Sequence, residues 1–558
     1  MFHDAYRPRD VFDTHSVTNQ PEALIDYNAA ARDPALVDAL LREGAAWGHE
    51  RLLAYGDVAG STLLRAGARA NAHPPELFRY DAAGRRIDEV EFHPAYHSCM
   101  QAARHHGLHA LRWTDARPGA QVLRSALFYL HNQFEAGTAC PTTMTHAAVP
   151  VLRQAGPALD GWLDKVLAAD YDPRNRPIAD KHAASIGMGM TEKQGGSDVR
   201  ANTTRAKPIA GDQYALTGHK WFFSAPMSDA FIVLAQDQSL QDRSPGAAAA
   251  LSCFFLPRWR EDGTRNAVDI IQLKDKLGDR ANASSEAEFR EAQARRIGEP
   301  GRGVATILNM VAQTRLDCML GSAALIRAAL VQAIHHARAR EVFGTALVDQ
   351  PLQAEVLADL ALESEAALAL SMRVARAFES PRSHERMLAR LATPIGKYWI
   401  CRSAPAAVNE AQECLGGAGY IETSIMPRLF RQSPLNSIWE GAGNVQCLDM
   451  LRALERTPET RTALFDELAG AAGRHPLFDA HVARLKDTLA DTPAPAAARE
   501  VAGEAAQALQ AAVLLQGEAD WVGAAFCEAR FGPRRSRAYG TARLGPRAPA
   551  LIERAFPC

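Results

Sequence analysis

The chain has 558 residues, but its nine cysteines are scattered (99, 140, 253, 318, 401, 414, 447, 527 and 558) and form no Cys-x-x-Cys pair. That argues against a disulfide framework and a thiolate metal site, and reads as reduced thiols in a cytoplasmic protein. The opening MFHDAYRPRD has no apolar core, so no secretory signal is expected. The longest apolar run, AAAALSCFFLP at 247–257, falls short of the roughly 20 residues needed to span a bilayer, so no membrane partner is expected. Net charge is only −2, which excludes nucleic-acid binding by bulk electrostatics. Glycines at 187, 189, 417 and 419 continue into glutamate where a dinucleotide fingerprint needs a third glycine, which disfavours a nicotinamide enzyme. His93 with His97, and His105 with His109, have helical spacing but no third ligand, so no metal is expected.

What is present divides the chain into four expected segments. Residues 1–185 hold an extended polar arm and Ala/Leu-rich stretches of helical period, broken by a polar turn region at 73–94. Residues 186–297 switch to short β-branched and aromatic runs at 213–224, 229–236, 251–257 and 267–273, bounded by turn residues, which predicts an antiparallel sheet. Residues 298–457 return to long amphipathic helices. Residues 458–558 form a further helical segment. Helix–sheet–helix order implies an α+β fold with segregated layers and not alternating βαβ units.

The most informative segment is 189–201, GMTEKQGGSDVRA. An apolar run ends in Thr191 and Glu192, and the Gly195-Gly196 pair precedes Ser197 and Asp198. Adjacent glycines let backbone amides approach a ligand, and two hydroxyls flank them; the same string also reads as a surface turn between strands.

Every defined position of this string resembles the flavin-contacting signature of the acyl-CoA dehydrogenases, and MTEKQGGSD resembles their AidB-type branch. The resemblance implies an N-terminal helical domain, a middle β-domain, a C-terminal four-helix bundle and an extra basic helical domain. It implies FAD, held by Met190, Thr191, Gly196 and Ser197, with Phe222, Phe223 and Ser224 against the isoalloxazine ring. Phe222 stands where relatives carry Trp, which keeps stacking and removes an indole N–H. Arg340 and Phe343-Gly344 match the corner that reaches FAD across a subunit interface, although Gln350 sits one residue early there. Gly416 and Gly417 match a second glycine signature, with Glu413 in place of Gln.

By the same resemblance Glu440 is the general base, in the setting Trp439-Glu440-Gly441-Ala442-Gly443-Asn444. Trp439, Ala442, Gly443 and Asn444 are assigned to the cofactor, and Arg315 and Gly441 to an acyl-CoA substrate. A minority of relatives take the base from the position of Thr314, which cannot serve. Ala442 and Lys193-Gln194 depart from the common pattern.

Between Trp521 and Cys558 stand seven arginines (530, 534, 535, 537, 543, 547 and 554) against Glu528 and Glu553, with Phe531 and Tyr539 interleaved. This reads either as a solvated face or as a phosphate-contacting surface. The resemblance favours double-stranded DNA, with Arg452, Arg530, Arg534, Arg535, Arg537, Arg543 and Arg547 as contacts in a homotetramer built as a dimer of dimers. Two functions are expected: a metabolic acyl-CoA dehydrogenase, or a DNA-associated flavoprotein of the alkylation response with weak activity on short branched acyl-CoAs. The second is preferred.

Overall fold

A computed structural model describes residues 9–243, 251–533 and 538–558. Its contacts group the chain into two units: residues 1–65, 319–437 and 446–558, and residues 66–318 with 438–445. This division cuts across the four sequence segments.

In the second unit, residues 73–94 are not an irregular break. They form a hairpin of β1 (Glu76–Tyr80) and β2 (Arg86–Glu91), turned by Asp81, whose carboxylate accepts from the amides of Ala83 and Arg85. The main sheet comprises β3 (Ile186–Gly189), β4 (Arg205–Ala210), β5 (Gln213–Ser224), β6 (Ala230–Asp237), β7 (Leu251–Pro257), β8 (Val268–Leu273) and β9 (Ser284–Ile297). Strands β6, β4, β5, β9 and β7 pair in that order, and β7 returns to β6, so the sheet closes into a barrel; β3 shares the β4 edge of β6, and β8 pairs with β9. The sheet is mixed and not purely antiparallel, because β3 and β4 both run parallel to β6.

Side-chain alternation explains why the barrel needs helices around it. Along β6, Phe231, Val233 and Ala235 point inward to Phe223, Phe254 and Phe289. Ala230, Ile232 and Leu234 point outward to the Ala139–Leu152 helix and to Ile307 and Met310. Gly187 and Gly189 are packing glycines: a Cβ would meet the ring of Phe231 at 2.5 Å or of Phe223 at 2.8 Å. The Gly303–Ala339 helix is fixed by Asp317, which accepts from the buried Arg124 and from Thr143. By length and composition this helix could cross a membrane, but 89% of its most apolar window is buried inside the protein.

The first unit is helical. The Pro351–Glu379 and Ser383–Glu413 helices form its centre, and the Glu459–Ala469, Ala498–Leu515 and Ala548–Ala555 helices pack directly on them. Small residues permit the close approach: a Cβ on Gly503 would sit 2.9 Å from the Trp399 ring. Residues 458–558 therefore share a core with the bundle.

Candidate active site

The 189–201 loop leaves β3 and is anchored from below. Glu192 is fully buried and faces inward, away from any ligand. It accepts from Lys220 Nζ at 2.8 Å, the Thr203 amide at 2.7 Å and the Gln194 amide side chain at 2.7 Å. Burial alone would raise its pKa, but Lys220 and these donors outweigh it and hold the carboxyl at about 2. Lys220, equally buried, also donates to Leu234 O at 2.8 Å. The main chain is pinned at the Met190 and Thr191 carbonyls, which accept from Asn202 Nδ2 at 2.9 Å and the Trp221 amide at 2.8 Å. Above this anchor Gly196 and Ser197 are exposed, and Thr191 is half-buried. Gly196 crosses so close over Thr191 that a Cβ would lie 3.0 Å from its hydroxyl. The loop thus presents two hydroxyls and bare backbone on a rigid base, which suits the polar part of FAD.

Strand β5 carries the next group. Phe222 is 49% exposed and Ser224 half-buried. Phe223 corrects the expectation: its side chain is fully buried in the barrel, 4.2 Å from the Phe231 ring, so it cannot stack on a flavin and only its backbone is available. Lys274 Nζ sits 3.1 Å from the Trp221 ring centroid, and Lys193 Nζ lies 5.6 Å from it. Glu286 balances this charge: its carboxylate lies 2.6 Å from Lys274 Nζ and 4.0 Å from Lys193 Nζ.

Sequence reasoning missed Lys276, hidden in a charged turn-like stretch. Its ammonium donates to Asn282 O at 2.6 Å and Ser284 Oγ at 3.2 Å. Ser284 Oγ is 3.4 Å from Ser224 Oγ, which connects a half-buried cation to the hydroxyl expected at the flavin N5 edge.

Glu440 adopts a left-handed conformation (φ 57°), followed by Gly441 at φ 95°. Such a backbone costs a non-glycine residue on the order of 1–3 kcal/mol and persists only where neighbours enforce it. Two adjacent residues of the Gly303–Ala339 helix do so. Arg315 Nε donates to Glu440 O at 3.1 Å, and the Thr314 hydroxyl lies 2.8 Å from Glu440 Oε2. Arg315, expected at the substrate, thus has its Nε committed to the Glu440 backbone. Thr314 Oγ is also 3.0 Å from Val311 O. Its single proton can go to an ionised Glu440, or to Val311 while Oγ accepts from a protonated Glu440. The hydroxyl therefore serves both states of a base. Trp439 packs on the apolar cluster that includes Met190. Gly443 opens the Gly443–Arg456 helix, whose first amides, including that of Asn444, are unsatisfied within the helix and suit a phosphate; Ala442 is exposed just before it.

The other residues expected at the cofactor lie in the first unit. Arg340 donates to Asn19 O, and Phe343 is 98% exposed on a turn with φ 53°. Gly416 (φ 59°, ψ −141°) and Gly417 have nothing within 4 Å of a built Cβ. Only glycine tolerates that first conformation, and the open space above suits a ligand or a second chain. Glu413 is exposed.

Among the described arginines of the basic tail, Arg530, Arg547 and Arg554 are held in ion pairs. Arg530 is not a free phosphate ligand: it is buried in ion pairs with Asp359 at 2.6 Å and Glu363 at 3.3 Å. Arg554 is held by Glu365 and Asp38, both at 2.7 Å, and Arg547 reaches Glu528 at 2.5 Å. Phe531 is buried and stacks on His481 at 4.1 Å. Arg452 and Arg543 are exposed; Arg534, Arg535 and Arg537 lie outside the described residues. Among the described residues no group of three or more His, Cys, Asp or Glu side chains is placed to hold a metal.

Comparisons with known proteins identify the family. Residues 19–173 match the adaptive response protein AidB N-terminal domain, 187–292 the acyl-CoA dehydrogenase middle domain and 301–455 the acyl-CoA dehydrogenase C-terminal domain. The chain is 48% identical over 492 residues to the putative acyl-CoA dehydrogenase AidB of Escherichia coli K12, covering 88% of this chain and 89% of that one. It is 32% identical to acyl-CoA dehydrogenase family member 11 of Caenorhabditis elegans, over 71% of this chain and 65% of that one. The crystal structure of C. elegans ACDH-11 in complex with C11-CoA superposes with a TM-score of 0.84 at 27% identity, over 92% and 93% of the two chains. Butyryl-CoA dehydrogenase of Megasphaera elsdenii shares the fold at a TM-score of 0.56 and 20% identity, over 76% and 99%. The chain belongs to the acyl-CoA dehydrogenase family, in its AidB branch, and is a FAD-dependent oxidoreductase of that type.

Proposed function

We propose that the protein oxidises a short branched acyl-CoA, of the isovaleryl-CoA kind, to its α,β-unsaturated thioester. The observation that carries this reading is Glu440, held in a strained conformation by Thr314 and Arg315. Its carboxylate takes the α-proton, and the electron pair of that C–H bond becomes the new double bond as the β-hydrogen departs as hydride. Bound FAD supplies the hydride acceptor. The Glu440 amide polarises the thioester oxygen, Thr314 stays bonded to Glu440 before and after proton transfer, and Trp439 keeps water away. The test is anaerobic bleaching of the flavin by isovaleryl-CoA. Wild type bleaches, whereas Glu440→Gln retains its flavin and bleaches about 10²–10⁴-fold more slowly. A wild-type protein that no short acyl-CoA bleaches would overturn the reading.

A second role in the cytoplasm, association with double-stranded DNA during the response to alkylation, draws support from the AidB likeness and the exposed Arg452 and Arg543. There the protein shields DNA or destroys alkylating agents. Its contacts are Arg452, Arg543, Arg547 and the 534–537 segment, without Arg530. A homotetramer would repeat these contacts and is supported by Phe343, Leu352 and Tyr420, exposed by 98%, 84% and 81%. The test is salt-dependent duplex binding. Replacing Arg534, Arg535 and Arg537 by Glu weakens it across all sequences, and unchanged binding removes the tail from the proposal.

A further inference from the structure

The Gly303–Ala339 helix runs out at Arg340, and a very short hairpin follows: β10 (Glu341–Val342) and β11 (Thr345–Ala346), with Phe343 and Gly344 at its tip. A lone two-stranded hairpin is marginal in water, yet this one carries Phe343 and begins at Arg340, both assigned to the cofactor. Part of its support is local. Leu347 N donates to Arg340 O at 2.7 Å, and Gln350 Nε2 donates to Thr345 Oγ at 2.6 Å and to Val342 O at 3.1 Å. Glu341 faces Ala346, and in antiparallel pairing the residue next to a bonded pair turns its N–H and C=O outward.

Those two outward groups are taken by Asn19 of the N-terminal arm, 322 residues away in the chain. Asn19 Oδ1 accepts from Glu341 N at 2.7 Å, and Asn19 Nδ2 donates to Glu341 O at 2.8 Å. The side-chain amide thus stands in for a neighbouring strand. The Asn19 carbonyl in turn accepts from Arg340 Nη1 at 2.5 Å. Asn19 is left-handed (φ 56°), a conformation that asparagine tolerates better than most residues. Glycine would meet the backbone demand and lose the clamp; glutamine would keep an amide and strain the backbone. The arm is tied down again where Glu22 O lies 2.7 Å from His335 Nε2.

A carboxylate on Arg340 would orient the guanidinium and cancel its charge. A peptide carbonyl orients it and leaves the charge available. Among the described residues Arg340 forms no ion pair.

We propose that Asn19 is a positioning residue for the cofactor: it fixes the start of the hairpin and aims an uncompensated Arg340 at a phosphate of FAD. The proposal rests on the assignment of Arg340 to the cofactor.

The experiment is equilibrium dialysis of the full-length, flavin-loaded protein, with free and bound FAD read by absorbance. Asn19→Gly keeps the left-handed backbone and deletes the clamp. It weakens FAD binding about five- to tenfold while the circular dichroism spectrum stays at wild type. Asn19→Asp weakens it further, because it opposes Glu341 O with a second acceptor and sets a carboxylate beside Arg340. Arg340→Ala weakens binding at least as much as Asn19→Gly, and combining the two adds less than twofold, because the clamp acts through the guanidinium. Full FAD affinity in Asn19→Gly, or losses that add in the double variant as a general structural role requires, would overturn the proposal. Full affinity in Arg340→Ala would overturn the assignment of that corner to the cofactor, and the proposal with it.

Discussion

The Glu192–Lys220 pair beneath the flavin loop makes a quantitative test. Both side chains are 0% exposed, with Nζ and Oε1 2.8 Å apart. Removing one partner leaves the other charge stranded where water cannot reach it, which costs about 3–5 kcal/mol. Glu192→Gln and Lys220→Met are each expected to lose that much. The double replacement loses clearly less than the sum, because it strands neither charge. Chemical denaturation gives the energies, and the flavin-to-protein absorbance ratio of purified material reports the loop, since Thr191 and Ser197 hang from this anchor. The pH dependence has a definite sign. Glu192 titrates at about 2 when folded, against an ordinary 4.5, so its contribution is fully present above about 4.5 and is lost as pH falls toward 2. Glu192→Gln should flatten the acid side of the stability profile over that window. Additive losses, or single variants within about 0.5 kcal/mol of wild type with full flavin, would refute this account of the loop.

Other consequences are testable. Thr314→Val removes the hydroxyl that holds the Glu440 carboxyl in place, so bleaching slows about five- to tenfold while flavin content holds, and Thr314→Ser restores the rate. Arg530→Ala strands Asp359 and Glu363 and lowers stability by about 3 kcal/mol with little change in the salt slope of duplex binding; Arg543→Glu shows the reverse, read by denaturation and by binding at several salt concentrations. If the proposed homotetramer forms through this surface, Phe343→Asp lowers the assembly's mass and its flavin occupancy together, measured by light scattering and absorbance; an unchanged mass removes Phe343 from the interface.

The 189–201 loop was legible because its ligand-facing groups are contiguous and its glycines cluster. Its inward half was not: that Glu192 is an anchor depends on Lys220, brought near only when β5 pairs. Phe223 was assigned to the flavin by its place in the resemblance; the β5–β9 register shift between Lys220 and Phe223 is what turns its side chain into the barrel. Strand β9, SSEAEFREAQARRI, is too charged to read as a strand, yet it holds three neighbours. Parallel pairing of β3 and β4 was invisible in such short runs. The arginine tail shows the limit most plainly: a run of like charge in sequence carries no sign of Asp359 and Glu363, which lie 171 and 167 residues away.

The union of residues 458–558 with the bundle bears on how this protein can be dissected. An appended module could be clipped off to leave a minimal dehydrogenase. Here a cut at 457 would bare the flanks of the Pro351–Glu379 and Ser383–Glu413 helices and orphan Asp359, Glu363 and Glu365 at once. The truncated chain would aggregate, and its failure to bind DNA would say nothing about whether the intact chain does. Charge reversal at single surface arginines, in the intact chain, is the dissection this architecture permits.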